Sequence, residues 1–260
     1  MRVTTEQLVD AGAHFGHLTH KWNPRMAPYI YKEMNGIHII DVNKTAAKLE
    51  EASNALKNII KSGRKVMFVA TKKQAKELVS AEAKRVNMPF VTERWLGGML
   101  TNYQTVRKSV KKMQSLDKMA SDGTYANINK KERLMVERDK IKLERLLGGI
   151  ADMNRLPAAL VIVDISREHI AVAEAKRLGI PVIAMVDTNS DPTQVDFAIP
   201  ANDDAANSIA LVIQALTDAI VEGMQERKKD KDEEEGEDNT EATAEGAEAT
   251  ETTAEATTTE

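Results

Sequence analysis

The chain has 260 residues and a formal net charge of −4, but residues 230–260 carry thirteen acidic side chains and one lysine, leaving thirty-five basic against twenty-seven acidic side chains in residues 1–229. A body with a surplus of eight positive charges points to a polyanionic partner, and its length suffices for a large core. The lack of cysteine excludes disulfides and thiolate zinc sites, and without an apolar run of about twenty residues or an apolar leader after Met1 a cytoplasmic protein with no membrane partner is expected.

Thr4 and Gln7 form a capping box for a short helix carrying Leu8, Val9 and Ala13. Residues 14–28, from His14-Phe15-Gly16-His17 through Trp22-Asn23-Pro24-Arg25 to Pro28, have no period and read as an extended loop. Tyr29-Ile30-Tyr31 and Ile37-His38-Ile39-Ile40 flank Asn35-Gly36, a dipeptide suited to the positive φ angles of a β-hairpin turn. Asn43 caps a helix to Ser62, with Ala46, Leu49, Leu56 and Ile59 or Ile60 on its buried side and Gly63 past its end. Residues 66–70 are a continuous apolar run of strand length, and Thr71 then caps a helix carrying Ala75, Leu78 and Val79.

The alternation is then interrupted. Gly97 and Gly98 in Arg94-Trp95-Leu96-Gly97-Gly98-Met99-Leu100-Thr101-Asn102 permit a tight path, after which residues 101–150 hold twelve Lys or Arg against six Asp or Glu. Val106, Val110, Met113, Leu116 and Met119 recur at spacings of three and four, as do Leu143, Leu147 and Ile150, so two helices can close an apolar seam with the cations outside. Ser121-Asp122-Gly123 breaks the first helix, Asn127 or Asn129 caps the second and Gly148-Gly149 stops it. Residues 103–150 thus read as an antiparallel coiled-coil helical hairpin, which could serve as a nucleic-acid arm, a solvated coiled coil or a dimerisation arm.

The strand-helix unit returns at residues 159–163, with Ser166 as cap and Gly179 as stop, and residues 181–186 give a third strand. Phe197-Ala198-Ile199 precedes a last helix from Asp203 to about Met224, striped with Ile209, Val212, Ile213, Leu216 and Ile220. Residues 1–102 and 151–229 are therefore expected to form an α/β globular domain, a flavodoxin-like three-layer parallel sheet. Residues 230–260 contain no large apolar residue and are expected to be a disordered acidic tail, acting in solubility or in competition with RNA for the basic face.

Such a sheet hosts ligands at the carboxyl ends of its strands. The turn Ala70-Thr71-Lys72-Lys73-Gln74 has no glycine and so matches no nucleotide-cradling loop, although Thr71, Lys72 and Lys73 at a helix N-terminus suit a single phosphate. Asp164, Asp187, Asp191, Asp203 and Asp204 sit in turn and cap sequences, and His14, His17, His20 and His38 lack zinc spacings. No cofactor, metal, small-molecule substrate or catalytic residue is assigned. A metal- or nucleotide-dependent enzyme using Asp164, Asp187 and Asp204 is the runner-up, and a dimeric scaffold built on the hairpin is the third reading.

Taken together, Arg94 to Asn102, His14-Phe15-Gly16-His17, Trp22-Asn23-Pro24, Asn35 to Asp41, Phe68-Val69-Ala70-Thr71-Lys72, Val186 to Pro192 and Ile199 to Asp204 resemble, in order and spacing, the bacterial form of the universal family of protein two of the small ribosomal subunit. The resemblance implies a structural, non-catalytic ribosomal protein bound to small-subunit ribosomal RNA on the solvent side between head and body. It also implies neighbouring ribosomal proteins as partners, among them the large messenger-binding protein one, whose docking it would support during translation. The residues expected to meet RNA are His17, Lys21, Trp22 and Arg25 in the N-terminal loop, Lys72 and Lys73, and Arg94, Trp95, Asn102, Tyr103, Arg107, Lys108, Lys111, Lys112, Lys130 and Lys131 along the hairpin and its root. Trp95 suits either an RNA base or the core.

Overall fold

The computed structural model describes residues 3–121 and 129–254, with side chains described in residues 3–119 and 129–230. Five parallel strands, β4 (Val66–Val69), β5 (Phe90–Val91), β6 (Ala159–Val163), β7 (Val182–Val186) and β8 (Phe197–Pro200), form one sheet in the order β5-β4-β6-β7-β8. This is the flavodoxin-type order, in which the chain first winds outward to β5 and then returns past β4. Right-handed crossovers in opposite directions put helices on opposite faces. One core cluster accordingly joins α2 (Val42–Lys61), α3 (Lys73–Arg85) and α7 (Ala206–Ala254) to Val66, Phe68, Val161, Val163 and Ile183, while the other joins α6 (His169–Leu178) and the root of the inserted helices to Met67, Val69, Leu160, Ile162 and Ala184. Strand residues alternate between the two clusters, and every position of β4, β6 and β7 is buried.

Helix α1 (Thr5–Asp10) has the expected capping box. The stretch expected to be a loop instead contains β1 (Phe15–Leu18), which pairs with β3 (Ile37–Ile40), while β3 pairs with β2 (Ile30–Met34) around Asn35 (φ 54) and Gly36 (φ 73). Four residues of mixed polarity give β1 no readable alternation. Asp41, not Asn43, caps α2 through Asn43 N–H at 3.1 Å. Thr71 likewise does not cap α3, because its backbone and hydroxyl both donate to Glu168; Lys72 occupies the cap position without a side-chain bond. Ser166 leaves that position before α6 to Glu168, and Gly179 ends this helix in the left-handed region (φ 66).

The insertion forms α4 (Tyr103–Ser121) and α5 (Lys130–Leu147). The Tyr103 hydroxyl donates to Met153 O and Asp117 pairs with Lys140 at 2.8 Å, so contacts run in opposite sequence directions. Val110, Met113, Leu147 and Ile150 are buried in the same cluster as Met99 and Leu100, whereas Met119 is exposed. The break and cap expected at Asp122, Gly123 and Asn127 lie outside the described residues. A Cβ on Gly149 would sit 2.2 Å from Phe90 O, so glycine there allows the returning chain to lie against β5.

Helix α7 runs on past the expected end near Met224, its backbone helical to Ala254. No proline interrupts this stretch, and alanine, glutamate and lysine are good helix formers. It packs on α2 as far as Asp230, which meets Lys61 at 3.1 Å. No helix among the described residues is long and apolar enough to cross a membrane.

Candidate nucleic-acid interface

Where β4 and β6 separate, the carboxyl ends of the strands form the crevice that binds ligands in folds of this order. Here the chain fills it with its own charges. Lys72 Nζ lies 2.7 Å from Asp203, 2.6 Å from Asp204 and 3.8 Å from Asp164. Its side chain is only 11% exposed, so the phosphate expected at Lys72 is displaced by internal carboxylates. Burial, then Asp187 and Asp164, push the Asp203 carboxyl up to about 7 against the pull of Lys72.

The N-terminal segment is fastened to the same corner. His17 N–H donates to Thr188 Oγ1 at 2.8 Å, Asn23 N–H donates to Thr188 O at 2.7 Å, and Gly16 lies so close to Thr188 that a Cβ would fall 2.6 Å from its methyl. The His17 ring reaches Asp187 at 3.0 Å and Asp204 at 3.4 Å. The hydrogen bond to Asp187 raises its pKa despite burial. Arg25 pairs with Asp191 at 2.5 Å, and Trp22 tilts against His38 with ring centroids 5.1 Å apart. His17 and Arg25, expected to face RNA, thus hold the loop to its own domain. Lys21 and Lys73 remain exposed, and Trp22 is 38% exposed.

The sequence assigns no metal, yet His17, Asp187 and Asp203 each offer a ligand atom, all within 4.8 Å of one another, and Asp203 Oδ2 is buried without a hydrogen-bond partner. One imidazole nitrogen and two carboxylates suit a first-row divalent ion. No sequence spacing joins residues 17, 187 and 203; the sheet edge brings them together.

The loop leading into α4 is organised by Glu174 on α6. Its carboxylate accepts from Trp95 Nε1 (3.1 Å), Gly98 N (2.7 Å), Leu100 N (3.0 Å), Thr101 N (3.1 Å) and Thr101 Oγ1 (3.1 Å). Burial raises the Glu174 pKa, but the donated hydrogen bonds outweigh it and hold the carboxyl below its ordinary value. Trp95 is 6% exposed, so its indole belongs to this anchor and the core, not to an RNA base. Tyr103 is half-buried with its hydroxyl on Met153 O. Glu174 itself escaped sequence reading, because a glutamate inside an amphipathic helix looks like a solvated one.

Beyond this root the cations turn outward. Arg107, Lys108, Lys111 and Lys112 are exposed and fall within one arc of α4, opposite Val110 and Met113. Together with exposed Lys130 and Lys131 they have no carboxylate within pairing distance among the described residues. Arg94 lines a shallow depression with Arg138, Ile141, Lys142 and Arg145, which adds α5 residues that charge counting alone did not single out. Ile141, beside these cations, is 59% exposed, as is Met135 on the same helix. Exposed Asn102 accepts from Thr105 at the start of α4. Apart from Arg145, which pairs with Glu93 at 2.8 Å, guanidinium and ammonium groups around apolar side chains can neutralise phosphates and cover riboses.

The family model described as ribosomal protein S2 matches residues 8–223. The small ribosomal subunit protein uS2 of Cytophaga hutchinsonii is 64% identical over 231 residues, 89% of this chain and 91% of the relative. That of Flavobacterium johnsoniae is 60% identical over 250 residues, 96% and 98% of the two chains. The Bacteroides thetaiotaomicron protein of the same name is 59% identical over 230 residues, 88% and 83%.

Proposed function

The chain belongs to the ribosomal protein S2 family, a structural constituent of the small ribosomal subunit in translation and not an enzyme, and we propose that its α4/α5 pair grips ribosomal RNA while the sheet domain holds that arm in place. In this reading residues 103–150 are one coiled-coil hairpin inserted between the two parts of the globular domain, 1–102 and 151–229, and the acidic residues 230–260 leave the helix in solution. The observation that carries it is the outward-facing set Arg107, Lys108, Lys111 and Lys112, unpaired among the described residues. Arg94, Asn102, Lys130, Lys131, Arg138 and Lys142 extend the contact, with Lys21, Trp22 and Lys73 as a separate smaller one. His17, Arg25, Lys72, Trp95 and Tyr103 support these surfaces from inside. Ribosomal RNA is recognised by charge and shape, and the working place is the bacterial cytoplasm.

A second surface suits a protein neighbour. On the open face of the three-stranded sheet, Leu18, Ile37 and Met34 are cross-strand partners, as are Phe15 and Ile39. Phe15 (46%), Leu18 (44%) and Met34 (49%) are exposed, and apolar surface of this kind marks interaction sites. The resemblance to the family makes the large messenger-binding protein one the expected occupant. Cross-linking assembled small subunits and mapping the peptides should attach RNA to α4 and α5 and protein to β1 to β3; RNA attached only to the N-terminal segment would refute the assignment of the arm.

A further inference from the structure

The edge of the sheet where its strands begin carries a second, separate set of cations. A depression of about 670 Å³ opens there between the last turn of α2, the end of α3 and residues 221–228 of α7. Arg64, Lys65, Arg227 and Lys228 rim it, all exposed. No Asp or Glu lines it, and none of the four has a carboxylate within pairing distance among the described residues. A fifth cation, Arg85, is held by Glu82 and Asp218, each at 2.8 Å. The nearby carboxylates of α7 are engaged on α2: Glu222 and Glu226 meet Lys57 at 3.9 and 2.6 Å, and Asp230 meets Lys61 at 3.1 Å. The adjoining depression at the root of α5 shares Lys65, Asn87 and Met88 but sets Glu144 and Asp152 beside Lys84 and Arg145. Uncompensated charge among the described residues is thus confined to the end between α2 and α7.

Local structure fixes that charge in place. Gly63 follows α2 in the left-handed region (φ 79), and a Cβ there would fall 2.7 Å from Arg227 Cζ, so the guanidinium lies against bare backbone. Arg64 Nε donates to Ser62 Oγ at 3.1 Å, and its terminal nitrogens have no partner among the described residues. Buried Ile60, Val86 and Met88 make an apolar floor beneath these groups.

We propose that this groove is a second RNA seat, taking a sugar-phosphate strand on the face of the sheet opposite the α4/α5 arm; the proposal deepens the RNA reading above. Ile60, Val86 and Met88 belong to the core cluster of α2, α3 and α7, whereas Val110, Met113, Leu147 and Ile150 at the arm belong to the other cluster. The sheet separates the two basic surfaces, so they take different RNA segments. Guanidinium groups pair phosphate oxygens through two N–H donors, ammonium groups add point charge, and an apolar floor suits the faces of riboses. The Asn87 and Gln225 amides in the lining can both donate and accept, as a 2′-hydroxyl requires. RNA is favoured over an acidic protein segment because a phosphate recurs at every nucleotide, and one short strand supplies as many charges as the rim presents.

The test compares the full chain carrying Arg64→Ala, Lys65→Ala, Arg227→Ala and Lys228→Ala with the unaltered chain, for binding to naked small-subunit RNA over a range of salt. With about 0.7–0.9 lost per contact, the log-log slope should become shallower by about 3, at an unchanged urea midpoint. Lys65→Ala with Lys228→Ala, which removes no hydrogen bond of the fold, should lose about half as much, and it decides the matter if the fourfold variant shifts the midpoint. Hydroxyl-radical footprinting should show an RNA segment that loses its protection in the groove variants and keeps it when Lys108, Lys111 and Lys112 are replaced with Ala. An unchanged slope, or one segment lost in both sets of variants, overturns the proposal. So does a groove variant that binds naked RNA normally but enters protein-containing subunits poorly, because the groove then seats a protein. A shallower slope and a lost segment in the groove variants, with neither in the arm variant, would uphold the seat and refute the arm.

Discussion

Lys72 and Lys108 carry the same charge in opposite settings. Lys72 begins α3 at the corner where β4 and β6 separate, 11% exposed and within 4 Å of three carboxylates. Lys108 stands exposed on α4 with its neighbours Arg107, Lys111 and Lys112 and, among the described residues, no carboxylate within pairing distance. One ammonium neutralises the interior; the other can still release counterions when it meets a phosphate. Charge available for binding is what remains after the fold has paired its own groups.

The largest effect that should separate the two regions is on stability. Lys72→Ala strands buried carboxylates and is expected to cost about 3–5 kcal/mol, read as a lower urea midpoint, whereas Lys108→Ala should stay within about 0.5 kcal/mol. Equal losses would dissolve the distinction. Glu174→Gln, which turns an amide toward donors at the root of α4, is expected to cost about 2 kcal/mol and to expose the amides of residues 98–101 to hydrogen exchange before those of β6.

That carboxyl also sets a pH dependence. Its folded pKa lies below the ordinary 4.5, so its contribution is complete above the unfolded value and is lost as pH falls through the folded one. Acidification below the ordinary carboxyl value of 4.5 should therefore loosen the 95–101 loop in the native chain but produce no such step in Glu174→Gln. Smaller still is Trp95→Phe, which removes one donor from Glu174 while keeping most of the buried ring, at about 1 kcal/mol.

The same contrast explains what could be read from the sequence. Apolar runs at residues 66–70, 159–163 and 181–186 announce buried parallel strands because nothing but burial on both faces favours them, and the periodic seam announces α4 and α5. Strand β5 has two residues and no pattern to detect. Charged residues show their type in sequence but not their partners: Lys72 meets Asp203 across 131 positions and Trp95 meets Glu174 across 79. Lys108, Lys111 and Lys112 were legible as an outward-facing cationic row because helical periodicity alone places them opposite the apolar seam. His17 and Arg25 were not, since only the docking of β1 on the loop after β7 turns them inward.

The central claim is tested most directly by the salt dependence of RNA binding for the full chain carrying Lys108→Ala, Lys111→Ala and Lys112→Ala together. With each lost contact removing about 0.7–0.9 from the log-log slope, the account predicts a slope shallower by about 2 to 3, weaker binding at low salt and an unchanged urea midpoint. A slope equal to that of the unaltered chain would contradict it.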